Sequence, residues 1–166
     1  KRIIENKTFE QQISIIQDFA FLFKMREQII WNIFHAVKRD SPNEAQKYRD
    51  VDQELVSKYA VLLEKIKIFF GITSESDVLK NGWQIDKHLH SCIIYIETNK
   101  DSINSQESNI NSSINAADEL RKTIQRELSS QFYKIDKPNL IALTTLDVNA
   151  ATQQINAQST GTTRID

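Results

Sequence analysis

Three glycines and two prolines are all that interrupt 166 residues. A chain so poor in turn-formers makes few turns, which restricts it to long elements joined by short connections. Between the interruptions, apolar residues recur at spacings of three and four, the period of one helix face rather than the alternation of a strand. With 40% of its residues apolar, a chain of this length can bury one real core.

Helix-start signals divide the chain at regular intervals. Thr8 precedes Gln11, Ser41 precedes Pro42 and Glu44, Ser74 precedes Asp77, and Asn104 precedes Glu107. Gly71 stands where a C-terminal glycine would close the second segment. Helices are therefore expected over about 8–38, 42–70, 75–99 and 104–135. The first carries a stripe of Ile13, Ile16, Ala20, Phe23, Ile30, Phe34 and Val37 with Glu27 in register. The second runs Ala45, Tyr48, Asp52, Leu55, Tyr59, Leu62, Ile66, Phe69; the third Leu79, Trp83, Asp86, His90, Ile93 and then Ile96 or Glu97; the fourth Ile110, Ile114, Ala117, Arg121, Ile124, Leu128, Ile135. Short connections make consecutive helices antiparallel. The expected fold is all-α: an antiparallel up-down four-helix bundle over 1–135 with a C-terminal extension over 136–166. That extension is rich in Thr, Asn, Gln and Ala, and is expected to be a partly ordered or docking segment.

The stretch WQIDKHLHSC, residues 83–92, gathers two histidines, an aspartate and the sole cysteine. On a helix, Asp86 and His90 share one face and His88 and Cys92 another, so the two histidines do not converge on one metal. Neither a metal nor another cofactor is expected, with Asp52, Asp86 and His90 the only metal candidates. The same positions suggest something else. Glu27, Asp52, Asp86, His90 and Arg121 all continue apolar stripes, and together they would form a buried polar layer that must satisfy itself. Cys92, set in SCII, reads as a small inert hydrophobe, and one cysteine cannot close an internal disulfide. No nucleophile elbow or glycine-rich phosphate cradle occurs.

The first helix is apolar on a second side as well, through Phe19, Leu22, Ile29 and Ile33. Those residues are expected to form an interaction surface, covered by Leu140, Ile141, Leu143 and Leu146 of the extension or by another protein. Lys24, Arg26 and Glu27 in the middle of this helix argue against a membrane span. A net charge of -1 argues against a nucleic-acid binder. The chain begins at Lys1, which suggests a soluble fragment of a larger protein.

The leading expectation is a non-enzymatic helical interaction or oligomerisation module in the cytoplasm, with a protein partner or a second copy of itself. Two alternatives compete with it: a polar core site for a metal or small ligand with hydrolytic chemistry, and a module that lies on a membrane surface.

Overall fold

The computed structural model describes residues 2–131, with side chains from Lys7 onward. The extension, its boundary at 135, Ile135 and the apolar set Leu140, Ile141, Leu143 and Leu146 lie outside the described residues.

The chain is a helical bundle. Its elements run α1 (Arg2–Lys38), α2 (Pro42–Phe70), α3 (Asp77–Thr98), a 3-10 segment (Lys100–Gln106) and α4 (Glu107–Ser129), with no strand among the described residues. At 1.5 Å per residue, the 37 residues of α1 extend about 55 Å. That helix starts six residues before Thr8, because nothing between Arg2 and Thr8 (no proline, no glycine) stops it.

The connections show how the helices end. Asp40 takes a left-handed conformation with φ 56. Its amide donates to Val37 O at 3.0 Å, and the Ser41 amide to Ala36 O at 2.9 Å. This paired closure satisfies carbonyls at the end of α1 that would otherwise be orphaned, and it is more usually made by glycine. The closure also explains why Ser41 and Glu44 do not form the expected reciprocal cap. The Ser41 amide is already bonded, its hydroxyl makes no cap bond, and Glu44 is held by Arg39 at 3.1 Å. Ser41 nevertheless marks the boundary. Replacing Asp40 by glycine should relieve left-handed strain and add about 0.5–1 kcal/mol in urea unfolding. A loss of stability would instead show that the Asp40 carboxylate contributes to the turn.

Gly71 closes α2 at φ 62, as its position suggested, and the following Ile72 amide bonds Lys67 O. Ser76 rather than Ser74 caps α3, accepting from the Val78 amide at 3.2 Å. Asn104 falls in the 3-10 segment, three residues before α4 begins at Glu107.

Helix α1 is the axis of the assembly. It packs most extensively on α2, as α3 does on α4, and it also touches α3, the 3-10 segment and α4. Cross-helix pairs follow an order that fits an antiparallel course. Gln12 Nε2 donates to Phe69 O at 2.9 Å, Arg26 meets Asp52, and Arg49 meets Glu97 at 2.8 Å. The core includes Ile16, Phe23, Ile30, Leu55, Leu62, Ile66, Ile93, Ile124 and Leu128.

Two corrections follow from the packing. Phe19, Leu22, Ile29 and Ile33 are core residues of the bundle rather than an exposed second face, and of the four only Leu22 also borders a surface groove. Their wide arc is explained by the central place of α1, which neighbours cover from several sides. In α3 the expected stripe holds at Leu79, Ile93 and Ile96 but fails between Leu79 and Ile93. Gly82, Ile85, Leu89, Cys92 and Ile96 are buried, whereas Trp83 is 44% exposed and His90 lies open to solvent. None of the described helices is long and apolar enough to cross a membrane.

Candidate functional site

The most unusual feature of the interior is a charge. Arg26 stands in the middle of α1 with 0% of its surface exposed. Its Nε donates to Asp52 Oδ1 of α2 at 3.3 Å, and its Nη1 to Asp86 Oδ1 of α3 at 2.7 Å. The guanidinium carbon lies 5.9 Å from the centroid of the Tyr59 ring. One cation therefore ties three helices together, with an aromatic face beside it.

The surroundings hold this arrangement from below. Tyr59 is buried, sits 6.1 Å from Phe19 in a stacked pair, and donates its hydroxyl to Gly82 O at 2.6 Å. At Gly82, α3 lies close against α2, since a Cβ there would lie 2.7 Å from Leu63 Cδ2. The Gly82 carbonyl lies one turn before Asp86, so the tyrosine fixes the stretch of α3 that presents the carboxylate.

One guanidinium facing two carboxylates leaves an excess of negative charge in a place that solvates it poorly. Burial raises the Asp52 pKa above its ordinary 3.8; Arg26 opposes this rise, and the nearby Asp86 adds to it. Burial likewise pushes the Tyr59 hydroxyl far above its ordinary range, so it remains a donor. For Asp52 the linkage runs against the usual carboxylate pattern. Its folded value is raised, so its contribution to stability is full below 3.8 and is lost as pH rises through the folded value. The stability difference between Asp52→Asn and the parent chain should accordingly shift in favour of the variant as pH rises from below 3.8 toward neutral. A shift in the opposite sense, read by urea unfolding across that range, would mean that pairing with Arg26 outweighs burial.

The five residues expected in one polar layer separate into three groups. Asp52 and Asp86 belong to the cluster. Glu27 and Arg121 do not: they line a separate cleft of about 220 Å³ between α1 and α4, with Lys24, Asn115 and Asp118. There Glu27 pairs with Lys24 at 3.2 Å. Arg121 pairs with Asp118 at 2.7 Å, also bonds Gln125, and lies 5.3 Å from the Phe23 ring centroid. Burial works to raise Asp118, but Arg121 and Lys122 outweigh it and hold the carboxyl below its ordinary value. His90 is exposed and bears on the cluster only as a charge near Asp52.

Within WQIDKHLHSC the structure disperses the chemistry that the sequence places together. Asp86 turns to Arg26, while the half-buried His88 lies 3.5 Å from Gln84 on the surface of α3. Cys92 is buried, donates to His88 O at 3.4 Å, and has its thiol pushed up to about 11 by burial. A thiol held there is a poor nucleophile. No three His, Cys, Asp or Glu side chains are grouped to hold a metal ion among the described residues.

Arg26 is the central residue that the sequence reading missed, yet its position carried a signal. Ile15, Phe19, Leu22, Arg26, Ile29 and Ile33 are spaced 4-3-4-3-4 and all six are buried. The arginine fills the one gap in the second apolar stripe of α1. Two in-register acids on neighbouring helices required a buried base, and that gap holds it.

The surface adds a second candidate. Between α1 and α2 lies an open groove of about 600 Å³, lined by Phe21, Leu22, Met25, Val61 and Leu62 among others. Asp18, Lys58 and Lys65 also border it. Val61 is 57% exposed, and Ile68, two turns further along α2, is 70% exposed.

No family model matches the chain, and neither a curated protein nor a solved structure does.

Proposed function

We propose that the chain is a non-enzymatic helical interaction module whose docking face is the α1–α2 groove. The observation that carries this reading is the groove itself. Apolar side chains line an open channel beside two exposed lysines, which suits an amphipathic helix with an acidic flank. Met25 adds an adaptable side chain to its wall. The Arg26 cluster fits a supporting role. Arg26 is sealed from solvent, and each of its pairs joins α1 to a different helix, which specifies how the helices register.

The test uses the Met25 methyl group, the only methionine methyl in the sequence, as an NMR reporter. A synthetic amphipathic helix with acidic flanks should shift its signal in a saturable way, and Val61→Asp should abolish the response. A signal that responds to neither acidic nor basic helices would overturn the proposal.

A second reading, a polar core site for a small ligand, has one specific observation in its favour. Arg26 Nη2 is buried and has no hydrogen-bond partner among the described residues, an expensive condition for a donor. Asp86, part-exposed, gives the cluster an edge toward solvent. Saturable thermal stabilisation by a small acceptor ligand, absent in Arg26→Met, would support this reading over the first.

A further inference from the structure

We propose that the cleft between α1 and α4 binds a small zwitterion, a free amino acid with an apolar side chain. The site is separate from the docking groove. Phe21 and Met25 of the groove each stand two residues out of step with Phe23 of the cleft, so the two lie on roughly opposite sides of α1.

The register of the helices decides what the cleft walls present. Helix α2 runs against α1, since Gln12 meets Phe69 and Arg26 meets Asp52. Helix α3 runs against α2, since Tyr59 meets Gly82 and Arg49 meets Glu97. Helix α4 turns back on α3 and brings Ile110 beside Cys92, so it runs against α1. With Arg121 over the Phe23 ring, Arg121 is then level with Lys24, and Asp118 with Glu27. Base faces base at one end of the cleft, and acid faces acid at the other.

That placement keeps the walls from closing on each other. The ion pairs run along each wall, Lys24 to Glu27 at 3.2 Å and Arg121 to Asp118 at 2.7 Å. Among the described residues none joins one wall to the other. What is left is a basic end and an acidic end about 4.5 Å apart, three residues of helix rise. Asp118 stays ionised despite its burial, because Arg121 and Lys122 hold its carboxyl below the ordinary value.

A zwitterion matches this pattern. Its carboxylate would accept from Lys24, which has three N–H donors and gives one to Glu27, beside the charge of Arg121. Its ammonium would donate to Glu27 and Asp118. The four wall charges cancel, so a zwitterion leaves no charge uncompensated, whereas a lone cation or anion would. Buried Ala20, Phe23 and Ile114 supply an apolar floor for the side chain. The volume of about 220 Å³ falls below the roughly 300–1,000 Å³ of ordinary ligand pockets, so the occupant is small.

Calorimetric titration of the full chain with L-leucine tests the site. One saturable site should appear with a dissociation constant of about 1 mM or tighter, the strength that two charge-assisted contacts supply. Isoamylamine lacks the carboxylate and isocaproate lacks the ammonium, and each should bind at least about tenfold more weakly. Exchanging the α1 charges, Lys24→Glu with Glu27→Lys, sets opposite charges across the cleft and lets the walls pair. Both side chains reach solvent, so this chain should melt no lower than the parent, yet bind leucine at least about tenfold more weakly. No saturation by about 10 mM leucine overturns the proposal. So does equal binding of either half-ligand, or undiminished binding by the exchanged chain.

Discussion

Arg26→Met should be the most damaging single substitution in this chain, lowering unfolding stability by about 3–5 kcal/mol at neutral pH. The loss comes less from what Arg26 gives than from what it leaves behind. Asp52 is 4% exposed, and without the guanidinium it faces Asp86 across a poorly solvated gap. Asp52, whose carboxyl burial already holds above its ordinary value, would relieve that strain by taking up a proton, so the loss should shrink as pH falls from neutral into the acid range. Urea unfolding at both ends of the range checks the expectation. A loss under about 1 kcal/mol at neutral pH would mean that water reaches the cluster and solvates it.

Phe19→Ala should cost nearly as much, about 3–5 kcal/mol, by leaving a cavity that the rigid helices cannot fill. Phe19 is fully buried beside Tyr59, the same ring that supports Arg26 and bonds Gly82 O. Its loss would therefore loosen the charge cluster as well as the core. This substitution separates the two roles that the wide apolar arc of α1 allows. A core residue destabilises the chain at every protein concentration. A residue of an intermolecular face would weaken it only where chains associate, and a concentration-dependent loss would restore that earlier expectation.

The number of helices, the class of fold and most of the core of α2 were legible because Ala45, Asp52, Leu55, Tyr59, Leu62 and Ile66 fall on one stripe. Its other two members, Tyr48 and Phe69, are only partly buried, and Phe70 takes the buried place at the end of the helix. In α3 two stripes competed. The one through Trp83, Asp86 and His90 holds the polar chemistry, yet the stripe through Gly82, Ile85, Leu89 and Cys92 is the more consistently small or apolar. Burial follows the second, since a neutral position costs nothing to desolvate and His90 would. The same preference for polar residues as signals placed Glu27 rather than Arg26 at the centre of α1. These two are neighbours in sequence, but 100° of helix rotation sends one to the interior and the other to a half-exposed pair with Lys24. The caps show another limit. Ser41 marks the right boundary for a different reason from the one its sequence suggests, because the competing bond of its amide to Ala36 O is set by the preceding helix end. The groove had no sequence signal of its own. Val61 is an exposed apolar residue of α2, and only the packing of α1 beside it makes a channel.

The measurement that most directly decides whether the groove or the buried charge is the working part of the molecule is made on the triple variant Arg26→Met, Asp52→Leu, Asp86→Leu. Replacing a buried ionic group by apolar side chains of similar size is often neutral or stabilising, so this variant should regain most of the loss seen in Arg26→Met alone. Its Met25 methyl signal should then respond to an acidic amphipathic helix as the parent chain does. A triple variant that folds with parental stability but no longer answers the helix would contradict the assignment and make the charged cluster the functional site.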